Sequence, residues 1–215
     1  MRMNINVSNI KISYEDVLQR LGYLKTSERP DQKLETEIKE CIETAQKLIA
    51  PKAVIAFENI TVSGSIVAFE NGYKIESSQV AKLLKDCFKA YGVAVTIGPA
   101  LEKKRNEFIA QKETFKAVIL DAAGAVAAEE AVSTANKQIT EFERTHNNKT
   151  SKRFSAGYGD WLLAKQKEFL EWLGAANIGI RLNNSFQMQP EKSVSAVIGV
   201  KVVIASPERA RQSRT

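Results

Sequence analysis

Between positions 193 and 204 apolar residues fall at every second place: Val194, Ala196, Ile198, Val200, Val202 and Ile204. Successive side chains of an extended chain point to opposite faces, so this period of two predicts a strand with all six on one face. It is the clearest strand signal in the chain, and it requires a fold that contains a sheet. Around it, helical and extended patterns are interspersed without the regular strand–helix–strand series of a parallel sheet. The order predicts an α+β fold: a twisted, mostly antiparallel sheet with flanking helices.

The remaining elements are read from capping and spacing. Residues 4–12 alternate through Ile5, Val7, Ile10 and Ile12 and read as a short strand pair or one broken strand. Ser13 is placed to cap a helix over residues 14–21, with Asp16 in its first turn and Gly22 beyond its end. Leu34, Ile38, Ile42, Ala45 and Ile49 predict an amphipathic helix over about residues 31–49, stopped by Pro51. Strand-like runs at 53–57 and 65–69 are joined through Ser63-Gly64, and Asn71-Gly72 is a turn signal. A helix from Ser78 is expected to run through Leu84, Cys87 and Phe88 to Gly92, ahead of a strand at 93–97 that Gly98-Pro99 ends. Helices are expected over residues 100–111 and, alanine-rich, from Gly124 to about Thr145, while residues 115–121 mix strand propensity with a helical start. Asp160 reads as the N-cap of a helix over 161–173 with Gly174 past its end, and 178–182 as a strand. Residues 1–205 are taken as one domain and 206–215 as a disordered tail.

Composition removes several classes of function. Hydrophobic residues make up 44% and charged residues 26% of the 215, an ordinary globular composition, and no apolar run has the length to span a bilayer. The N-terminus leads into alternating residues rather than a signal-peptide core, so a cytoplasmic protein with no membrane partner is expected. Cys41 and Cys87, both placed in helices, offer neither a disulfide framework nor a metal-binding pair. The single histidine, His146, lies in a polar loop; it excludes a multi-histidine metal site, and no nucleophile elbow stands near it. Neither a GxGxxG turn nor a P-loop is present. The net charge of +6 is uneven, with residues 151–215 holding 10 Lys and Arg against 5 Asp and Glu. Such an end can attract nucleic acid, an acidic protein or an anionic ligand. Without a basic stripe interleaved with aromatics, nucleic acid is not expected as a partner.

The segment Arg153-Phe-Ser-Ala-Gly-Tyr-Gly-Asp160 is too glycine-rich for a regular element. An arginine fork can pair with a carboxylate, and backbone at Gly157 and Gly159 can approach a ligand closely because neither has a Cβ. Such a loop could cradle a small zwitterion. It could equally be a tight turn with a surface arginine.

From Arg153 through Trp161, then Gln166, Ile178-Gly-Ile180, Leu182, Ser185, Met188, Pro190, Lys192-Ser-Val-Ser-Ala196 and Ile198-Gly199, the chain resembles the activation domain family of cobalamin-dependent methionine synthase. Members typically read R-x-x-P-G-Y-G-D-W-P-L and then I-G-I-x-L-T-E-S-x-x-M-x-P-x-K-S-V-S-A. Leu120-Asp121-Ala-Ala-Gly124 also matches, and Tyr14-Glu-Asp-Val-Leu with Leu21-Gly22-Tyr23 matches more loosely. The resemblance is closest over residues 117–200.

What the resemblance implies is an activation-domain-like fold that binds S-adenosylmethionine outside any Rossmann unit. The domain would be a stand-alone form that supports reductive methylation, and so reactivation, of oxidised cobalamin. Cobalamin would enter only through a partner protein, either corrinoid-binding methionine synthase modules or a corrinoid methyltransferase. The electron would come from an acidic flavodoxin-like or ferredoxin-like donor. Arg153 would hold the methionyl carboxylate, the backbone of Ser155, Ala156, Gly157 and Tyr158 would grip the adenosyl part, and Tyr158 would lie near the sulfonium. Asp121 would face the ligand or simply begin a helix. The sequence departs from the pattern at Ala156 and Leu162, where prolines are usual, and at Asn183-Asn184, where Thr-Glu is usual. The Asn183-Asn184 replacement motivates an alternative, a non-catalytic docking scaffold or chaperone of the same fold. Lys192 and Ser193 would touch a corrinoid partner or lie on a solvated strand edge.

Overall fold

A computed structural model describes residues 1–23 and 29–203. Nine strands and six α-helices occur among them: β1 (Arg2–Met3), α1 (Tyr14–Arg20), α2 (Gln32–Leu48), β2 (Lys52–Ser63), β3 (Ile66–Phe69), β4 (Lys74–Glu76), α3 (Ser78–Leu84), β5 (Lys89–Thr96), α4 (Ala100–Ala110), α5 (Thr114–Thr145), β6 (Asn148–Thr150), α6 (Gln166–Leu173), β7 (Arg181–Leu182), β8 (Met188–Gln189) and β9 (Ser193–Val202). The main sheet runs β4-β3-β2-β5-β9-β6, with β1 beside the first half of β2, and every pairing is antiparallel. β7 and β8 form a separate hairpin. The fold is therefore α+β with a mostly antiparallel sheet, and the tail from position 206 and Ile204 lie outside the described residues.

The central strands are buried on both faces. Ile55, Tyr91, Val93, Val95, Ala196, Ile198 and Val200 face a core closed by α1, α2 and α5. Val54, Ala56, Ala90, Ala94 and Val197 face a second core with α3, α6 and Trp161. The alternation along β9 therefore separates two cores rather than core from solvent, and Val202 falls on the exposed end. Small residues dominate the α6 side of β5, which lets Trp172 and Leu173 press against Gly92. On the other side Ala117, Ala123, Ala127, Ala131 and Ala135 of α5 are all buried. Short side chains bring that helix close to the sheet.

Five expectations are corrected. Residues 4–12 form no strand: the backbone at Ile10 and Ile12 is paired with the amide of Gln46, and that at Asn6 with Gln138. Those side chains satisfy groups that a ladder would otherwise take. α3 stops at Leu84, and Cys87 lies outside any helix. Residues 114–145 form one unbroken helix, so the strand propensity at 115–121 yields to burial of Ala117, Ile119 and Leu120. α6 begins at Gln166 after a 3-10 turn (Leu163–Lys165), and a second such turn (Ala175–Ile178) replaces the start of the strand expected at 178–182.

At the end of α5 the Glu143 carboxylate, with its side chain 1% exposed, accepts from Lys89 Nζ at 2.6 Å, Tyr91 and Asn148 Nδ2 at 2.7 Å. Burial alone would raise its pKa, but these donors hold it below the usual carboxylate value. The network ties α5 to β5 and β6.

Candidate ligand-binding cleft

β6 and the residues after it extend the ladder along β9 only as far as the Phe154–Val197 bridge. Beyond that point the chain turns away, and a solvent-open cleft of about 1160 Å³ lies against residues 193–196. This is slightly above the usual range for small-molecule sites, roughly 300–1,000 Å³.

One wall is the segment following β6. Ser151 N donates to Gly199 O at 2.8 Å, and Phe154 exchanges hydrogen bonds with Val197 at 3.0 and 2.8 Å. Those contacts fix the position of Arg153, which lines the cleft with Lys152, Ser155, Ala156 and Tyr158. The turn closes through Gly157 N to Trp161 O at 2.7 Å and Trp161 N to Tyr158 O at 3.2 Å. Gly157 and Gly159 have φ of 90° and 57°, and a Cβ on Gly159 would lie 2.1 Å from Gln79 Oε1, so both positions need glycine. Trp161 is buried in the second core, edge-on to Phe169 at 5.2 Å, and anchors the turn. Tyr158 projects outward, 70% exposed.

Asp160 is not the cap of the helix that follows it. Its carboxylate accepts from the hydroxyls of Ser77 and Ser78, from Ser78 N at 2.7 Å and from Gln79 N at 3.3 Å. It thereby fastens the turn to the start of α3. Those hydrogen bonds, the serine hydroxyls first, hold its pKa far below the usual carboxylate range.

The opposite wall comes from the β7–β8 hairpin, Glu191 and β9. Asn183 spends its side chain on the hairpin turn, accepting from the backbone of Ser185 and Gln187. Gln166 is buried, donates to Phe186 O at 2.9 Å and accepts from Ser195 Oγ at 3.2 Å, which ties the hairpin to β9 within this wall. α5 contributes Glu129 and Asn136. Glu129 accepts a hydrogen bond from Arg153 Nη2, and Asn136 Oδ1 is buried without a partner among the described residues.

Of the residues expected at a site, Arg153, Ser155, Ala156 and Tyr158 line this cleft, and Gly157 sits in the turn behind it. Asp121 does not line it. Its carboxylate is held by Arg105 and Lys192, each at 2.8 Å, and is 44% exposed on the neighbouring face, near Phe115 and Val118. Burial works against ionisation there, and the two cations outweigh it to lower the pKa. Lys192 is spent on that pair, and Ser193 donates to Pro190 O at 2.7 Å in an interior strand, so neither lies on a solvated edge. Glu129 and Asn136 were not expected from the sequence, and Gln166 stood only in the family pattern, without a site role. Asn136, a partly buried polar residue beside the buried alanine stripe of α5, is the one of these that the helical pattern could have marked; Glu129 is half-exposed and carries no such signal.

An open antiparallel α+β domain with a polar, arginine-bearing cleft beside a glycine turn is the class that fold and site define. A solved structure of that kind, the MetH reactivation domain bound to AdoHcy, matches it with a TM-score of 0.64 over 99% of this chain and 85% of its own, at 12% sequence identity. The chain thus has the fold of the MetH reactivation domain. No protein-family model and no curated protein matches the sequence. Among the described residues no helix is long and apolar enough to cross a membrane.

Proposed function

We propose that this chain belongs with the activation domains of cobalamin-dependent methionine synthase, binds S-adenosylmethionine in the cleft, and supports reductive methylation of a corrinoid held by a separate protein. The observation that carries the reading is a guanidinium placed at the cleft by the sheet edge, beside a glycine turn, in a fold whose solved counterpart holds AdoHcy. Arg153 binds the methionyl carboxylate, and the backbone of the 155–158 turn supplies close contacts to the nucleoside. The unpartnered Oδ1 of Asn136 suits an uncharged donor of a nucleoside.

The corrinoid, once reduced by one electron, supplies the nucleophile for the methyl group. The chain's own part is to orient the sulfonium and exclude misaligned approach, which is catalysis by positioning. The corrinoid protein is a set of methionine synthase modules or a related corrinoid methyltransferase. The basic excess after position 150 supports an acidic flavodoxin-like or ferredoxin-like electron donor. Two free thiols, Cys41 and Cys87, fit a reducing cytoplasm.

Isothermal calorimetry tests the reading. S-adenosylmethionine should bind the wild type, and Arg153→Ala should weaken binding by about 1.5–3 kcal/mol, the worth of a hydrogen bond to a charged group. No binding to the wild type would sink it. Incubation with a corrinoid protein, a reductant and methyl-labelled S-adenosylmethionine then separates reactivation from docking alone. Labelled methylcorrinoid supports the proposal, and a stable complex without label transfer supports a non-catalytic scaffold.

A further inference from the structure

Glu129 stands on α5 opposite the segment that carries Arg153, and the two side chains meet in the cleft. The contact is monodentate, Nη2 to Oε1. Arg153 is the more enclosed partner at 27% exposure, and Glu129 the freer one at 51%. A guanidinium presents a fork of donors that suits both oxygens of one carboxylate, so an incoming carboxylate can outcompete a single-point contact. Displacing Glu129 creates a second requirement. A carboxylate charge beside another carboxylate is unfavourable unless a cation lies between them.

Resting on the ligand reading above, we propose that Glu129 determines which ligands the cleft accepts, by yielding Arg153 to the ligand's carboxylate and taking the α-ammonium borne on the same carbon. An α-amino acid head carries both charges on one centre. Seating its carboxylate on Arg153 therefore brings its ammonium to the displaced Glu129, and two ion pairs replace one. A ligand with only the acid leaves Glu129 uncompensated. A ligand with only the amine must take Glu129 from Arg153 and leaves the guanidinium unpaired. The other acidic side chain of the lining, Glu191, is occupied: both its oxygens accept from Arg105, at 2.7 and 3.2 Å. Asn136, Gln166, Gln187 and Ser195 are uncharged and provide no substitute counter-ion.

The test compares three ligands by calorimetry on the full chain: S-adenosylhomocysteine, its analogue with hydrogen in place of the α-amino group, and its analogue without the carboxylate. Wild type should bind the parent at least about tenfold more tightly than either analogue, the scale of a charge-assisted contact. Glu129→Gln should weaken the parent about tenfold and leave the deaminated analogue within about twofold, which erases the discrimination between them. The substitution is at a half-exposed site, and an unchanged thermal midpoint confirms an intact fold. If Glu129→Gln tightens the parent, or leaves the preference over the deaminated analogue unchanged, Glu129 is a competing counter-ion or a bystander and the inference is overturned while the ligand reading stands. If wild type binds neither S-adenosylhomocysteine nor S-adenosylmethionine, both are overturned together.

Discussion

The carboxylate of Asp160 accepts hydrogen bonds from Ser77, Ser78 and Gln79 rather than from the residues that follow it. One side chain thus joins two segments 81 to 83 residues apart in sequence, and it holds the cleft-lining turn against α3. The pKa of this group is lowered in the folded state by those hydrogen bonds, so folding favours the ionised form. As pH falls below the ordinary carboxylate value the unfolded chain takes up the proton first, and the contribution of Asp160 to stability, complete above about pH 4, drains away. Asp160→Ala should therefore lower the thermal midpoint at pH 6, with the gap to wild type closing as the pH is brought toward about 2. Midpoints of both proteins across that range check it, and a gap of constant size would show that the contacts are not those of an ionised carboxylate. The cap itself was legible in the sequence as an aspartate between a glycine and a helix, but its client was not. A capping side chain reaches whichever helix start the fold brings to it, and that start lies in a different part of the chain.

Elements were read well where one periodicity governed them and poorly where two competed. α1, α2 and β9 came out near their expected bounds because the Ser13 cap, the apolar spacing from Leu34 to Ile49 and an unbroken alternation marked them; Ser13 does accept from Asp16 N, and the structure adds an Asp31 cap that accepts from Leu34 N. The stretch from Ser78 to Gly92 failed because Leu83, Leu84, Cys87 and Phe88 satisfy helical spacing while Lys89 onward joins the centre of the sheet, paired on both edges. Sheet pairing is a long-range gain that local spacing does not register. Gly92, taken as a helix end, is instead the place where Trp172 crosses β5: a Cβ there would lie 2.3 Å from Trp172 Cζ3 and 2.8 Å from Leu173 Cδ2. Gly92→Ala should cost about 1–3 kcal/mol by overpacking, read as a lower urea midpoint at unchanged m-value. A variant as stable as wild type would mean that α6 shifts freely over the sheet.

At the scale of the whole molecule the cleft depends on two walls held by different means, and the sequence showed one of them. The Arg153–Tyr158 wall was legible because its residues are contiguous and its glycines distinctive. The facing wall is assembled from residues of α5, α6, the β7–β8 hairpin and β9; Gln166, Met188 and Ser193 to Ala196 appear in the sequence only as scattered members of the family pattern, and Glu129 and Asn136 not at all. What fixes that second wall is a charge network beneath it. Asp121 takes Arg105 and Lys192, Arg105 also grips Glu191, and Lys192 N donates to Glu102 Oε1 at 3.0 Å, so the residues leading into β9 are bolted to α4 and α5. Asp121 is thus a positioning residue rather than a contact, and its removal should act locally. Exposed ion pairs contribute about 0–1 kcal/mol each, so Asp121→Ala should leave the global urea midpoint nearly unchanged. Freed of Asp121, Lys192 loses its partner while Arg105 keeps Glu191, so the β8–β9 connection gains freedom at one end. Amide hydrogen exchange at residues 189–193 should quicken while that of β5 and α5 stays at the wild-type rate. Uniform exchange across the molecule, or none beyond wild type at 189–193, would show that the wall is held by the β7–β8 hairpin alone and that Asp121 merely decorates the surface of α5.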